Sequence, residues 1–146
     1  MNSCHSEYGK INSTLLKQAA KAFISQNSLD EQWESLRYTA PVNYSEALAE
    51  YVDFQHKIES IATDIRFLPE SDTSLDSIYC RDASLATDFG MVLCSMGKGA
   101  RATEPKAQKE FFERAGIEIL GEINAPGTLE GGDMCWLDQN TLAVGH

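Results

Sequence analysis

The feature that most constrains the fold is an internal repeat with a period of about 50 residues. Asp82 maps onto Asp133 and Ile65 maps onto Ile117, and each copy reads as a helix, a strand, an acidic loop and a hairpin. A period of this size is typical of cyclic or propeller-like arrays, in which repeated β-α-β units bury one another's faces. The 146 residues hold two copies and part of a third. We therefore expect an α/β chain.

The helices of the repeat are predicted from caps and apolar spacing. Asn43 and Glu46 form a capping box that starts a helix running to about residue 62. Its apolar residues recur every three or four positions, which predicts one core-facing stripe of Ala47, Tyr51, Phe54, Ile58 and Ile61. The second helix is expected to be capped by Thr103 and to end at Gly116, with Ala107, Phe111, Phe112 and Ala115 facing inward.

Strands are predicted at residues 64–68 and 117–120, and hairpins turn at Asp88-Phe89-Gly90 and at Asp138-Gln139-Asn140. The second hairpin joins residues 134–137 to 141–144. The first 40 residues are less regular. Residues 10–16 fit a strand, whereas propensity favours a helix over residues 15–23, and the pattern leaves both open. A short helix over residues 28–37, capped by Ser28 or Asp30, follows.

Charge and composition exclude several classes of function. The net charge of −10 argues against nucleic acid or an anionic membrane as a partner. No apolar run is long enough to span a bilayer, and the first seven residues lack the basic and apolar regions of a signal peptide. The four cysteines are widely spaced and form no metal-ligand spacing with the three histidines. We therefore expect a cytoplasmic protein with free thiols, no metal and no cofactor.

Carboxylates flank a glycine pair in Glu130-Gly131-Gly132-Asp133, directly before a strand-like run. Glycine is used where the backbone approaches another group closely, so an acid beside it can be directed at a ligand. Asp82 lies in the same context one repeat earlier. An ordinary solvated turn fits each segment taken alone. Because the two are related by the repeat, we expect Asp82 and Glu130 at neighbouring strand ends, facing one cavity.

Four segments resemble, in order, the N-terminal half of the guanidino-group-modifying enzymes, the superfamily of dimethylarginine dimethylaminohydrolase, arginine deiminase and amidinotransferase. They are Ser6-Glu7-Tyr8-Gly9, Leu75 to Asp82, Arg101-Ala102-Thr103-Glu104 and Thr128 to Asp133. The resemblance covers nearly the whole chain from Ser6. It implies a pentein-type α/β propeller of ββαβ units, of which residues 1–146 form one incomplete domain.

The resemblance also implies a chemistry. A cysteine thiolate attacks the guanidinium carbon, a histidine protonates the leaving amine, and water hydrolyses the covalent adduct. Asp82 matches the principal guanidinium-binding carboxylate, and Glu130 matches the acid that orients the histidine. Asp76 resembles a second substrate-contacting acid, and Arg101 resembles the arginine that receives the substrate's carboxylate. Bidentate carboxylates suit a guanidinium because its N–H donors form a planar fork.

The chain departs from that family pattern because the nucleophilic cysteine and the catalytic histidine of these enzymes lie downstream of its motifs. Cys94 and Cys135 are expected to be inert core thiols, and Cys80 beside Arg81 is the nearest substitute for a nucleophile. The predicted function is the N-terminal portion of a hydrolase that acts on the guanidinium group of arginine or a derivative, with Cys and His outside this chain.

Three alternatives stay open: a non-catalytic guanidinium-binding or interaction module, an amidinotransferase, and an unrelated α/β domain. The expected partners are a small guanidino substrate and either further copies of the chain or a missing C-terminal half. Open strand edges at residues 11–16 and 141–144 favour a homo-oligomer.

Overall fold

The computed structural model describes residues 3–145, which divide into two compact units. One unit is the continuous segment Lys10–Tyr79, and the other joins the N-terminal residues up to Gly9 to the segment that begins at Cys80. The acidic motifs at Asp82 and Glu130 both fall in the second unit. That unit therefore carries most of the predicted site.

The Lys10–Tyr79 unit is a parallel strand pair with helices in its crossover. Strand β1 (Ser13–Leu16) pairs with β2 (Asp64–Phe67), with Ser13 opposite Asp64. Parallel strands need a long connection. Here that connection contains α1 (Ala19–Ala22), α2 (Gln26–Gln32) and α3 (Tyr44–Glu59). A 3-10 turn, Leu75–Ile78, follows β2. Both alternatives for the first residues are thus partly right, because a short strand and a short helix succeed each other.

The core of this unit lies under α1, α2 and the 3-10 turn, and consists of Ala19, Ala22, Phe23, Leu29, Leu36 and Leu75. Helix α3 begins after Asn43, whose side chain accepts from the Glu46 amide, as predicted. Its apolar stripe is only partly buried. Ala47 and Tyr51 pack on the core, whereas Phe54 is 43% exposed and Ile61 lies beyond the helix. The prediction that the whole stripe is core is therefore wrong.

Helix α2 starts earlier than predicted. Its cap is Ser25, whose hydroxyl accepts from the backbone amide of Ser28 at 3.2 Å. Neither Ser28 nor Asp30 caps it, since both lie inside the helix. A serine oxygen that satisfies one free amide of the first turn fixes where a helix begins. Three serines or acids within six residues made the choice ambiguous from sequence alone.

The second unit contains one complete ββαβ repeat and the hairpin of the next. Strands β3 (Ser84–Thr87) and β4 (Gly90–Leu93) pair antiparallel, α4 (Glu104–Ala115) follows, and β5 (Ile119–Glu122) pairs parallel to β4. Strands β6 (Met134–Asp138) and β7 (Thr141–Val144) form the second hairpin. Both predicted hairpins are confirmed. Strand β5 begins two residues later than predicted, because the Ile117 amide still bonds back to Phe112.

Helix α4 agrees with the prediction at its end and differs from it in two details. Gly116 ends the helix with φ of 67°, a left-handed conformation that glycine adopts without strain, as expected. Thr103 precedes the helix, but its side chain makes no capping hydrogen bond. The buried face is polar at its start: Glu104, Gln108 and Phe112 are buried, whereas Ala115 is exposed. The predicted inward stripe is therefore correct at Phe112, only half-buried at Ala107 and Phe111 and wrong at Ala115, and it missed two polar residues.

Across residues 3–145, none of the helices combines the length and apolar character needed to cross a bilayer.

Candidate functional site

Two 3-10 turns carry the acidic motifs, and the turns contact each other directly. The first acidic turn is Cys80–Ala83, and the second is Gly131–Asp133, which follows Glu130. The Arg81 guanidinium donates to the Gly131 carbonyl at 2.6 Å and to the Met134 carbonyl at 2.9 Å. A Cβ on Gly131 would lie 1.9 Å from the Arg81 carbonyl oxygen. Glycine is therefore required there by backbone approach rather than by its φ angle.

Arg101 joins the carboxylates of both turns. Its Nη1 donates to Asp82 Oδ2 at 2.8 Å and lies 3.6 Å from Glu130 Oε2. Its Nε and Nη2 donate to the two carboxylate oxygens of Glu104, each at 2.8 Å. We call Asp82, Arg101, Glu104 and Glu130 the acid cluster. Asp82 and Glu130 thus approach the same nitrogen atom.

The acid cluster holds more negative than positive charge. One guanidinium faces three carboxylates, and both Arg101 and Glu104 are buried, at 6% and 3% exposure. Burial lowers the pKa of Arg101, but the hydrogen bonds and charges of Glu104 and Asp82 outweigh it, so the pKa lies above its ordinary value. Arg101 is therefore a fixed cation, and the three carboxylates around it outnumber it.

The two outer acids are partly accessible to solvent. The Asp82 side chain is 22% exposed and the Glu130 side chain is 27% exposed. Glu130 Oε1 accepts from the Gly97 amide at 2.9 Å. Among the described residues, no hydrogen bond is made to Asp82 Oδ1, and a Cβ on Gly132 would lie 3.5 Å from this oxygen. The side chain missing from Gly132 leaves the space beside Oδ1 less crowded.

Gln108 supports the first acidic turn from behind. The side chain is 2% exposed, its Nε2 donates to the Cys80 carbonyl at 2.6 Å, and its Oε1 accepts from the Ser84 hydroxyl at 2.6 Å. Cys80 and Ser84 flank Asp82, so one amide group holds both ends of the segment that presents this carboxylate. A buried amide with both ends bonded fixes local geometry strongly.

Glu104 and Gln108 were not among the site residues predicted from the sequence. The available signal was their spacing with Phe112, four residues apart at each step, which places all three on one helix face. Polar residues on the face shared with Phe112 indicate a buried polar network. The three-residue step from Arg101 to Glu104 also suits an ion pair at a helix start.

Asp76 belongs to the other compact unit, in the 3-10 turn Leu75–Ile78, and is 5% exposed there. The described structure accordingly brings together three of the four predicted site residues, Asp82, Glu130 and Arg101, within one unit.

The cysteines differ in their surroundings. Cys94, at the end of β4, is 3% exposed, and burial raises its pKa to about 11, with a further contribution from the charges of Asp82, Glu130 and Asp133. A thiol with this pKa is protonated and unreactive at neutral pH. Cys135 is exposed, so its predicted place in the core is wrong. Its side chain lies on the outer face of β6, because side chains alternate between the two faces of a strand, and the next residue is the half-buried Trp136.

A second cluster of titratable groups lies at the hairpin turns, and we call Cys4, His5 and Asp88 the His5 cluster. Potential metal-ligand atoms of all three lie within 4.8 Å of one another. His5 Nδ1 donates to the Gln139 carbonyl at 2.9 Å, and Nε2 accepts from the Asp88 amide at 3.0 Å. The ring stacks on Trp136 with centroids 3.8 Å apart. Because both ring nitrogens are bonded, the cluster has no open histidine ligand.

A groove of about 610 Å³ lies along α4 in the same unit. Its lining includes Cys94, Met96, Pro105, Lys109 and Glu122, and contains neither Asp82 nor Glu130. Lys109 and Glu122 form an ion pair across it. The groove is therefore distinct from the acid cluster, although Cys94 is near both.

Comparison with known proteins identifies one kind of relative. No family model matches the chain. A curated dimethylarginine dimethylaminohydrolase from Pseudomonas aeruginosa is 27% identical over 92 residues, which cover 63% of this chain and 36% of the relative.

Solved structures of dimethylarginine dimethylaminohydrolase match more of the chain. The adduct with 4-chloro-2-hydroxymethylpyridine has a TM-score of 0.70 at 20% identity and covers 93% of this chain and 49% of its own. The S-methyl-L-thiocitrulline adduct of a histidine-to-glycine variant has a TM-score of 0.72 at 20% identity, with 93% and 50% covered. A cysteine-to-serine variant of the Pseudomonas aeruginosa enzyme with citrulline gives 0.67 at 21% identity, with 86% and 47% covered.

The resemblance predicted from the motifs is confirmed by these relatives. The chain has an α/β fold similar to that of dimethylarginine dimethylaminohydrolases over most of its own length, and it spans about half the length of the solved structures it matches. Closure into a propeller stays a prediction.

Proposed function

We propose that this chain supplies the functional carboxylates of a guanidino-group hydrolase site, and that these are Asp82 and Glu130. One observation carries the proposal: a single guanidinium, that of Arg101, faces the carboxylates of Asp82, Glu104 and Glu130, and Asp82 keeps one oxygen without a hydrogen bond among the described residues. Such a cluster favours a further planar cation. The substrate class is an arginine or arginine derivative, in keeping with relatives named for dimethylarginine.

Asp82 is proposed to bind the substrate guanidinium. Its carboxylate is paired with Arg101 and partly exposed, so an incoming N–H donor can reach it. A charge-assisted hydrogen bond of this kind is about twice as strong as a neutral one. Holding the guanidinium plane also fixes its central carbon for nucleophilic attack. Asp76 is proposed, from the resemblance alone, as a second acid that contacts the substrate.

Glu130 is proposed to orient the catalytic histidine. One of its oxygens is fixed by the Gly97 amide and the other lies near Arg101, so the carboxylate has a defined direction. A carboxylate that accepts from one imidazole nitrogen sets which tautomer presents its lone pair to the reaction. The histidine would then protonate the departing amine and activate the hydrolytic water.

The nucleophilic cysteine and the histidine are proposed to come from outside these 146 residues. Cys94 is a buried thiol with a raised pKa, which makes it a poor nucleophile. His5 has both ring nitrogens engaged in hydrogen bonds. The solved relatives include a cysteine-to-serine and a histidine-to-glycine variant. A hydrolase is favoured over an amidinotransferase, because these relatives are all dimethylaminohydrolases.

The proposal is tested by calorimetric titration of the 146-residue chain with L-arginine, dimethylarginine and agmatine. We expect saturable binding that Asp82→Asn weakens at least about tenfold, equivalent to 1.4 kcal/mol. Glu118→Gln, which removes an exposed acid of the same unit, is the control for the loss of one charge and should bind as the unmodified chain does. Binding that is unaffected by Asp82→Asn would refute the site.

The second arm measures hydrolysis of each ligand by the same chain, through citrulline formed from L-arginine or dimethylarginine and N-carbamoylputrescine formed from agmatine. We expect no product from any of the three ligands. Turnover that disappears in Cys80→Ser would show that the nucleophile lies in this chain and that its proposed location outside is wrong. Binding without turnover, retained in the full-length native protein, would favour the non-catalytic binding module instead.

A further inference from the structure

Strand β6 has one edge that no other strand of residues 3–145 covers. Its opposite edge pairs with β7 in an antiparallel ladder, and the Gly145 amide donates to the Asp133 carbonyl across this hairpin at 2.7 Å. Backbone groups of successive residues in such a ladder point alternately to the two edges. Because the carbonyl of Asp133 faces β7, the backbone groups of Met134 and Trp136 face the uncovered edge.

A pair of charged side chains lies along this uncovered edge. Arg81 Nη2 donates to the Met134 carbonyl at 2.9 Å, and Glu7 Oε1 accepts from the Trp136 amide at 3.0 Å. The same two side-chain atoms, Nη2 and Oε1, lie 3.6 Å apart. A guanidinium supplies donors and a carboxylate supplies acceptors, which are the two kinds of group that a neighbouring strand would offer. Arg81 and Glu7 thus take the place of a strand at an edge that would otherwise be open.

Arg81 holds the second acidic turn at both of its ends. Its Nη1 donates to the carbonyl of Gly131, the first residue of that turn, while Nη2 reaches Met134, the residue directly after it. Two bonds from one planar guanidinium fix the direction of the turn as well as its distance. Since Arg81 lies in the first acidic turn, its side chain connects the segment that presents Asp82 to the segment that follows Glu130.

Glu7 is brought to β6 by the N-terminal residues, which belong to the same compact unit. The His5 ring stacks on Trp136 and bonds to the Gln139 carbonyl, so this segment has a fixed place on the second hairpin. The Arg81 and Glu7 side chains are 57% and 39% exposed, and an ion pair in contact with solvent is worth little by itself. We therefore expect Glu7 to contribute less than Arg81, by keeping the guanidinium beside the strand.

We infer that Arg81 is a positioning residue for the proposed site: it fixes the second acidic turn, and with it Glu130, relative to Asp82, and Glu7 holds its guanidinium in place. The inference rests on the proposed function of the two carboxylates. It gives the N-terminal segment a part in the site, although none of its residues belongs to the acid cluster. Arg81 acts through the placement of Glu130 and not through contact with the ligand.

The Gly97 amide reports the position of Glu130 without any ligand, because it donates to Glu130 Oε1 at 2.9 Å. Amide proton and nitrogen spectra are recorded for the chain, for Arg81→Lys and for Glu7→Gln. Lysine keeps the charge but has a single nitrogen, which cannot hold two carbonyls as a planar guanidinium does. We expect the Gly97 signal in Arg81→Lys to shift more than any amide signal outside the two acidic turns and β6. In Glu7→Gln it should shift in the same direction and by less.

Calorimetric titration with L-arginine and agmatine measures the effect on binding. We expect Arg81→Lys to weaken both ligands by the same factor, about tenfold or more, which corresponds to 1.4 kcal/mol. Glu7→Gln should weaken both by about threefold, because an exposed ion pair contributes little. The matched control is Arg114→Lys, exposed in the last turn of α4, which should change neither the affinities nor the Gly97 signal.

Two results overturn the inference. If the Gly97 signal of Arg81→Lys stays where it is in the unmodified chain, Arg81 does not position Glu130; if that variant does not fold, the Gly97 signal of Glu7→Gln decides in the same way. If Arg81→Lys weakens L-arginine alone and leaves agmatine unaffected, Arg81 instead contacts the ligand's carboxylate. Failure of both ligands to bind the unmodified chain would refute the proposed function alone, and the Gly97 signal would still decide whether Arg81 places Glu130.

Discussion

Two clusters of titratable side chains in the same unit have opposite electrostatic designs. The acid cluster sets three carboxylates against one buried guanidinium, and Asp82 retains an oxygen without a described partner. The His5 cluster contains a cysteine, a histidine and an acid, yet its histidine donates from one ring nitrogen and accepts at the other. The acid cluster thus has more negative than positive charge and one carboxylate oxygen without a described hydrogen bond. In the His5 cluster, both nitrogens of the histidine are already bonded.

The difference shows that residue type alone does not identify a site. Cysteine, histidine and aspartate within 4.8 Å would suit a zinc ion by composition. Here His5 instead joins the turns of both hairpins, since its ring bonds to Gln139 and Asp88 and stacks on Trp136. Unused hydrogen-bonding capacity and uncompensated charge indicate a ligand, whereas a fully bonded cluster indicates a structural role.

The largest expected effect concerns the contact between the acidic turns. In Gly131→Ala, the new Cβ would lie 1.9 Å from the Arg81 carbonyl, and this backbone cannot move without separating the turns. We expect a loss of at least about 3 kcal/mol in the free energy of unfolding, measured with urea, together with loss of guanidinium binding. Gly121→Ala is the control, because nothing lies within 4 Å of its Cβ. Equal stability of the two variants would contradict the contact.

The next effect concerns the support of Asp82. Gln108→Ala leaves the Cys80 carbonyl and the Ser84 hydroxyl without this partner in a buried position. We expect a loss of about 2–3 kcal/mol in urea unfolding, because each unsatisfied buried polar group costs about 1–3 kcal/mol. Lys106→Ala, exposed on the same helix, should change stability by less than about 0.5 kcal/mol. A neutral Gln108→Ala variant would show that the amide does not hold the turn.

The loss of stability at alkaline pH should differ between two thiols, that of Cys94 near the acid cluster and that of Cys4 in the His5 cluster. Burial raises the pKa of Cys94 to about 11, and partial desolvation together with the neighbouring Asp88 carboxylate raises that of the largely exposed Cys4 to about 11, against 9.0 for an unperturbed thiol. The neutral thiol is favoured in the folded chain, so its contribution is present below pH 9 and is lost as the pH rises to 11. For buried Cys94 this is on the order of 2 kcal/mol.

Urea unfolding between pH 8 and pH 11 checks this expectation. Cys94→Ala should flatten the alkaline decline in stability, whereas Cys4→Ala should change it much less, because Cys4 is exposed and its charge is screened by solvent. The same alkaline decline in Cys94→Ala as in the unmodified chain would show that the buried thiol does not titrate in this range.

The smallest expected effect is that of zinc on the His5 cluster. Because the His5 nitrogens are both bonded, Zn²⁺ would have to displace the Asp88 amide to coordinate Nε2. We expect equimolar Zn²⁺ to leave the melting temperature within 1 °C, roughly the effect of a few tenths of a kcal/mol in a domain of this size. Stoichiometric zinc retained after dialysis, and lost in Cys4→Ser, would remove the distinction between the two clusters.

The repeat made the second unit the more predictable one. Its hairpins, helix and ββαβ order follow from alternation, turn residues and the glycine at position 116, which are local signals. In the Lys10–Tyr79 unit, the predicted cap of α2 was wrong because several capping residues compete within a few positions. The exposure of Phe54 could not be inferred either, since periodicity gives the face of a helix but not how far the core extends beneath it.

The acid cluster was predicted in part. Glycine beside an acid at two equivalent places indicated Asp82 and Glu130, and the approach of both to Arg101 agrees with that expectation. The three-residue step from Arg101 to Glu104 was a signal for their pair, but the burial of Arg101 was not predictable, because a basic residue in a loop is as compatible with a solvent-exposed charge as with a buried one. Glu104 and Gln108 occupy buried helix positions where apolar residues are usual. A prediction based on hydrophobic periodicity therefore does not identify them.

The closeness of Arg101 and Glu104 in the sequence has a consequence for how the cluster assembles during folding. Their pair spans three residues at the start of α4, whereas the bond from Arg101 to Asp82 spans 19. Short-range pairs form with little loss of loop entropy, so the cation can be neutralised as the helix nucleates. The longer-range hydrogen bond between Arg101 and Asp82 then forms to a guanidinium that Glu104 already holds in place. Transition-state analysis should accordingly give a higher φ-value for Glu104→Gln than for Asp82→Asn.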